Sequence, residues 1–289
     1  MTDLTATAAT LNAVFTKAAP GDVLKLSGLF ALAVLQGRVF DPPLTVDASG
    51  ATLQAAVIKG VAGLRWTGGT FATLTRGRDA VNVSASQGIT VERLSVTGDG
   101  TAGAVSFRDC QDVALTDSQI EGPRVGASLY NVARARIVGN LITGWSADAI
   151  GLSAVSDSLI SQNSLTNPKR IDPDIHIDGI QGYFTGPTVN RDLTVSFNFI
   201  RGLGTQGIFF NTAAGYPPPE RIHIEGNIVA IDAVHGVTLM GDPAGIVKNN
   251  RIFTLPGAQW QARLYISDPN TARFGNIAAA YGSWKAEVD

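Results

Sequence analysis

An eight-residue pattern returns along most of the chain, and in its later copies the sixth position is asparagine. It recurs in LRWTGGTF from Leu64, ITVERLSV from Ile89, VALTDSQI from Val113, ARIVGNLI from Ala135, SLISQNSL from Ser158, LTVSFNFI from Leu193, IHIEGNIV from Ile222 and GIVKNNRI from Gly245. The sixth positions are Gly69, Leu94, Ser118, Asn140, Asn163, Asn198, Asn227 and Asn250, and Asn276 continues them, so the intervals are 25, 24, 22, 23, 35, 29, 23 and 26 residues. A second register lies upstream of each copy: Ala80-Val81, Ala104-Val105, Ala127-Ser128, Ala149-Ile150, Gly179-Ile180, Gly207-Ile208 and Gly236-Val237. Two alternating strands per period of more than about 20 residues, with turn residues between them, mark a solenoid. A sharp bend sends one residue into the left-handed region, which asparagine tolerates, so the asparagines are expected at that position. Coils stacked about 4.8 Å apart would then align their amides as a ladder.

The repeat reads 289 residues as one domain, 1–289, although length alone would allow two. Only 16% of residues are charged and 32 are glycine, as suits closely stacked coils with small corner residues. The formal net charge of −2 comes with no basic run to track a phosphate backbone, so nucleic acid is not an expected partner. No stretch of about 18 apolar residues occurs, so membrane insertion is not expected either. The single cysteine, Cys110, excludes an internal disulfide and reads as a small buried hydrophobe. No cationic segment followed by an apolar run opens the sequence. The compartment stays open, extracellular or periplasmic if a signal peptide has been removed. Leu11, Val14 and Phe15 are spaced as on a helix, and Ala19-Pro20-Gly21-Asp22 stops it, so residues 1–27 are expected to cap the coils.

With these features the chain resembles the right-handed parallel β-helix of pectate-lyase-like, carbohydrate-active proteins. The resemblance spans residues 50–280. It rests on Gly68-Gly69-Thr70-Phe71, the column from Asn140 to Asn276 and the opening Ala19-Pro20-Gly21-Asp22. It implies an all-β fold of three strands per coil, with the asparagine bend between the second and third. It also implies a ligand groove formed by the outer face of the first strands and the loops after the third. The sequence lacks the Gly-His-Gly with downstream Arg-Ile-Lys of polygalacturonase-like hydrolases. Of the Asp-Pro-His-Glu of mannuronan epimerases it has only Asp172-Pro173-Asp174.

The 35-residue interval holds about a dozen extra residues, mostly at 166–177, where a loop would overhang that groove. His176 and Asp178 are two apart and would share a strand face, with Asp174 continuing it. Histidine suits proton transfer near neutrality, and a neighbouring carboxylate would orient it. Lys169 or His176 is a candidate base, Arg170 a candidate partner for a substrate carboxylate, and Tyr183 a candidate acid. Asp148 and Asp178 fall on adjacent coils and, with Asp174, are candidates for binding a cation, which for carboxylates would be calcium, or for paired acid–base work. The alternative for Asp148 is that it caps turn amides. Alternation places Ser106, Gly151, Gln181, Phe209 and Thr238 outside, then Arg108, Asn131, Ser153, Tyr183, Asn211 and Met240. Gln181, Phe209 and Asn211, with Tyr216 from the second insert 212–220, would offer a sugar both aromatic faces and polar groups. His235 continues the column of Asp148 and Asp178; His223 points away from the groove.

Two functions follow as expectations. One is an enzyme acting on an acidic, uronate-containing polysaccharide or oligosaccharide, a lyase or C5-epimerase ahead of a hydrolase. The other is a non-catalytic carbohydrate-recognition β-helix such as a phage tail or surface-fibre module. The chain is expected as a monomer or homotrimer.

Overall fold

Strand pairs in this protein are parallel and join residues one period apart. Val81 pairs with Val105, Val105 with Ala127, Ala127 with Ile150, Ile150 with Ile180, and Ile180 with Ile208. The computed structural model describes residues 2–282 apart from positions 73, 75, 185 and 279, and it is a right-handed parallel β-solenoid of about 11 turns. The last residues of the domain read from sequence, 283–289, lie outside the described residues.

The coils contribute three strands each, as the resemblance implies. Asp178–Phe184, Gln206–Thr212 and His235–Leu239 are first strands; Arg191–Ser196 and His223–Glu225 are second strands; Ser164–Thr166, Phe199–Gly202 and Ile228–Ile231 are third strands. Because register repeats coil after coil, each inward position becomes a column along the axis. On third strands Val96, Ile120, Ile142, Leu165, Ile200, Val229 and Ile252 stack in sequence, all buried. Each aliphatic side chain so buried contributes ~1.5–3 kcal/mol. Cys110 lies in this core, its thiol directed at the Arg108 carbonyl, 3.1 Å away.

The ladder is present, with one correction to its logic. Asn140, Asn163, Asn198 and Asn227 are each at most 1% exposed. From Asn163 onward each side-chain oxygen accepts from both the backbone N–H and the side-chain amide of the residue one coil earlier, as Asn198 Oδ1 does from Asn163 at 3.0 and 2.9 Å, while Asn140 Oδ1 accepts the backbone N–H of Ser118. Each amide also donates to a main-chain carbonyl, Asn198 Nδ2 to Ile160 O at 3.0 Å. The left-handed residue, however, is the one before the ladder: Gln162 (φ 58°), Phe197 (φ 55°), Gly226 (φ 66°), Asn249 (φ 57°). The asparagine is selected for its amide, which satisfies buried backbone groups at the bend, and its neighbour absorbs the unfavourable dihedral.

The first coils differ from the expected boundaries. Asp3–Ala6 already pairs with Val23–Phe30, and Val23 pairs with Thr45, so coil register begins inside the region 1–27 and well before residue 50. The cap proper is the helix Leu11–Lys17, which lays Leu11 and Phe15 on the open end of the core. Arg38 donates to the carbonyls of Phe15, Thr16 and Ala18 at that helix's C-terminus. Among the described residues no helix is long and apolar enough to cross a membrane.

Replacing Asn227 with alanine strands the backbone N–H and amide of Asn198, which both donate to Asn227 Oδ1. Asn227→Ala is expected to lower unfolding free energy by about 3 kcal/mol in urea titrations. Ile228→Ala, one residue on but partly exposed, should cost under about 1 kcal/mol.

Candidate functional site

The first strands begin with two consecutive inward residues: Ala149 and Ile150, Gly179 and Ile180, Gly207 and Ile208, Gly236 and Val237. Small residues are needed there because the corner is tight. A Cβ on Gly179 would stand 2.8 Å from Ile200 Cγ2, and one on Gly207 would stand 2.1 Å from the Gly236 carbonyl oxygen. Doubling the inward residue puts the flanking pair on the same outer face, so Asp178 and Gln181 both point out, as do His235 and Thr238. Their contacts show it: Gln181 Nε2 donates to Asp178 Oδ2 at 2.7 Å, and His235 Nδ1 lies 3.0 Å from Thr238 Oγ1. Simple alternation left this orientation open for Asp148 and Asp178.

Asp148 and Asp178 are direct partners across adjacent coils, about 4.8 Å apart in the backbone. Asp178 is 1% exposed, and its Oδ1 is buried with no hydrogen-bond partner. Asp148 is half-buried above Gly151, where a Cβ would meet its Oδ2 at 3.4 Å. Burial pushes the Asp148 carboxyl up to about 7; the Asp178 charge adds to this and Arg124 opposes it. Burial likewise pushes Asp178 up to about 7, against the Gln181 hydrogen bond. Two carboxyls this close titrate as a pair, which retains a proton near neutral pH.

Further along the same column come Gln206 and His235. The His235 ring packs edge-on to Phe209, centroids 5.2 Å apart, and 5.8 Å from Tyr265 on the other side. Burial depresses its pKa, and the charge of His176 depresses it further. His176 itself is exposed, and among the described residues no hydrogen bond or ion pair joins it to Asp178. His223 lies on the second-strand face, its Nε2 3.2 Å from Glu225 Oε2.

The insert leans back over earlier coils. Lys169 N–H donates to the Trp145 carbonyl at 2.7 Å, and Ile171 lies against Gly100, where a Cβ would meet its Cδ1 at 2.0 Å. Ile171, Asp172 and Ile175 join Arg76, Thr101 and Arg124 around a hollow of about 150 Å³. Arg170 turns onto its own loop, donating to the Pro173 carbonyl, and Asp174 N–H donates to Asp172 Oδ1. Lys169, Arg170 and Asp174 are exposed there. The expected cation site of Asp148, Asp174 and Asp178 is therefore not assembled: among the described residues no three His, Cys, Asp or Glu side chains converge to hold a metal.

Gln181, Phe209 and Thr238 form one outer row, and Tyr183 pairs with Asn211 in the next. Tyr183 is 39% and Tyr216 43% exposed; Asn211 Oδ1 accepts from Thr212 N–H. Upstream, the residue in the row of Arg108 and Ser153 is Tyr130, not Asn131. Asn131 has φ 53° and donates to Asp109 at the turn. Arg124 and Tyr130 escaped sequence reasoning because they lie in coils of regular length, where no insert drew attention. Continuing the outer rows upstream in correct register would have found Tyr130.

Residues 55–170, less than half of the chain, match the family model described as periplasmic copper-binding protein (NosD). The donors here do not fit a resident copper, since Cys110 is buried and no three ligating side chains meet among the described residues. None of the curated proteins compared matches the sequence. Three solved structures share the fold at low identity. The Dettilon tailspike protein is 16% identical with a TM-score of 0.62, over 93% of this chain and 56% of its own, so the chain spans little more than half that protein's length. An alginate lyase from a Paenibacillus species is 16% identical with a TM-score of 0.54, over 98% of this chain and 99% of its own. PfbA, a surface adhesin of Streptococcus pneumoniae, is 10% identical with a TM-score of 0.63, over 86% of this chain and 74% of its own.

The carboxyl pair gives stability a distinct pH dependence. A folded-state value of about 7 against an ordinary 3.8 means that the pair's contribution is full below about pH 4 and is lost as pH rises through 7. Asp178→Asn keeps a group able to bond Gln181 and removes a titrating partner. Relative to the unchanged protein, it is expected to be more stable at pH 8 than at pH 4 in urea midpoints measured across that range.

Proposed function

On a right-handed parallel β-helix with a half-buried carboxyl backed by a buried one on its outer first-strand face, we propose a polysaccharide lyase acting on a uronate-containing chain. The observation that supports this most is the unequal exposure of Asp148 and Asp178. Hydrolysis by two carboxyls requires both to reach the sugar, whereas Asp178 is 1% exposed. Syn elimination can use a single group, which takes the proton beside the uronate carboxyl and delivers it to the leaving oxygen on the same face as that C–O bond breaks. Asp148, with a value near 7, is matched to that exchange at neutral pH. Asp178 acts through Asp148 as a positioning residue that raises its proton affinity, and Gln181 fixes Asp178. Arg124, whose charge reaches Asp148, would neutralise the reacting uronate's carboxylate and stabilise the charge that develops on it.

Tyr183, Phe209, Asn211 and Tyr216 extend the face downstream with aromatic and amide surface for sugar rings. His176 and His235 lie toward that end and are assigned substrate contact. The earlier roles of Lys169 as base and Arg170 as stabiliser are not retained, because both sit on the back-folded insert. Epimerisation needs a second proton-transfer group on the opposite face of the sugar, and epimer content is therefore followed beside unsaturated product.

A second reading, glycan recognition without turnover, draws on the same face and on the fold shared with a tailspike and an adhesin. One experiment separates them. Polyuronates are incubated with the protein, and unsaturated product is followed by ultraviolet absorbance, with reducing ends and epimer content in parallel. Asp148→Asn is expected to lower turnover by about 10²–10⁴-fold with binding retained, and turnover of the unchanged protein should follow an apparent pKa near 7. Binding without product from any polyuronate would support recognition alone. Turnover is also measured with and without a calcium chelator, a loss on chelation marking a cation held at the Asp148 and Asp178 carboxyls.

A further inference from the structure

Over the three coils before that of Asp148, the same outer face closes into a cavity of about 250 Å³ lined by Asp79, Asn82, Ser106, Arg108, Ser128 and Tyr130, with Arg124 at the side nearest Asp148. Register makes this a continuation of the groove: Asn82 pairs with Ser106, Ser106 with Ser128, and Ser128 with Gly151, beside Asp148. Arg108 lies over the Tyr130 ring, its guanidinium carbon 4.6 Å from the ring centre. This cation–π contact holds the guanidinium in the cavity, and a guanidinium's forked N–H groups match a planar anion. Other arginines of the solenoid close onto a carboxylate one coil away, Arg134 onto Asp112 and Arg221 onto Asp192, each at 2.6 Å. Among the described residues Arg108 forms no ion pair. Asp79 shares the cavity but is turned over Gly103, where a Cβ would meet its Oδ1 at 2.1 Å. Asn82 Nδ2 donates to Ser106 Oγ at 2.9 Å, and the hydroxyls of Ser106 and Ser128 lie beside them.

We infer that this cavity is a second saccharide subsite, in which Arg108 takes the carboxylate of a uronate residue that is not itself cleaved, while Asp79, Asn82 and the two serines take its hydroxyls. The inference rests on the glycan reading above and adds to it that the protein reads charge about 10 Å from the reacting residue, two coil spacings away. A chain with consecutive acidic residues satisfies both places at once, and a chain with an isolated uronate satisfies only one. A bidentate guanidinium–carboxylate contact is specific in geometry as well as charge, so lysine does not replace it.

Binding is measured by calorimetry in an Asp148→Asn background, so that turnover does not enter. The probes are a purified oligouronate, the same oligomer with its carboxyls reduced, and a sulfated neutral oligomer of equal length. Arg108→Gln is expected to weaken oligouronate binding about tenfold or more, to leave the reduced oligomer unchanged, and to abolish the preference between them; Arg108→Lys should recover only part. In the otherwise unchanged protein Arg108→Gln is expected to raise KM while kcat is held. Equal losses for charged and reduced oligomers, no loss for either, or a sulfated oligomer bound as tightly as the uronate would overturn the assignment. If Asp148→Asn left turnover intact while the Arg108 contrast persisted, the catalytic reading would fail and the subsite would stand.

Discussion

In-register stacking of parallel coils is the constraint on which the rest depends. Backbone pairing fixes the spacing, and columns such as Leu165, Ile200, Val229 and Ile252 supply the burial. Neither alone would hold the sharp bend between second and third strands, whose polar groups point into an apolar interior. The asparagine amides resolve this by accepting from one coil and donating to another, so that every buried group at the bend has a partner. A column of this kind tolerates no half-measures, because each residue satisfies its neighbours as well as itself.

The same regularity positions the chemistry. A doubled inward residue at the start of each first strand turns the flanking side chains outward together, which brings Asp148, Asp178 and Gln181 onto one surface. Desolvation then does what no neighbouring cation prevents, raising both carboxyls toward neutrality. Ordinary coils therefore make a buried carboxyl pair with raised proton affinity from a position that elsewhere in the column holds Asp79, Gln206 or His235. The difference lies in two consecutive coils both carrying aspartate.

Much of this was legible in the sequence. The two repeating registers identified the later coils and the adjacency of Asp148 and Asp178, because those depend only on period, and the order of strands within a coil came from the resemblance. What depended on local geometry was less accessible. The left-handed residue was assigned one place too late, since Asn198 and Phe197 both sit at the bend and only coordinates separate their roles. Asn131 was placed on the outer row where Tyr130 lies, because a turn residue interrupts alternation there. The insert 166–177 was expected to overhang the groove. Ile171 instead finds Gly100, a contact between segments too far apart in sequence for any pattern to announce. The start at residue 50 failed because the earliest coils lack the asparagine that made later ones recognisable.

The ladder also has a direction: every amide oxygen faces the preceding coil, and no rung is symmetric. Each asparagine-bearing coil must therefore bring its asparagine into phase with those on either side, whatever the length of the segments between its strands. Stretches of 35 and 29 residues here sit beside ones of 23 and 26 with no break in the ladder from Asn140 to Asn276. New surface chemistry can therefore arise by loop growth without renegotiating the interior.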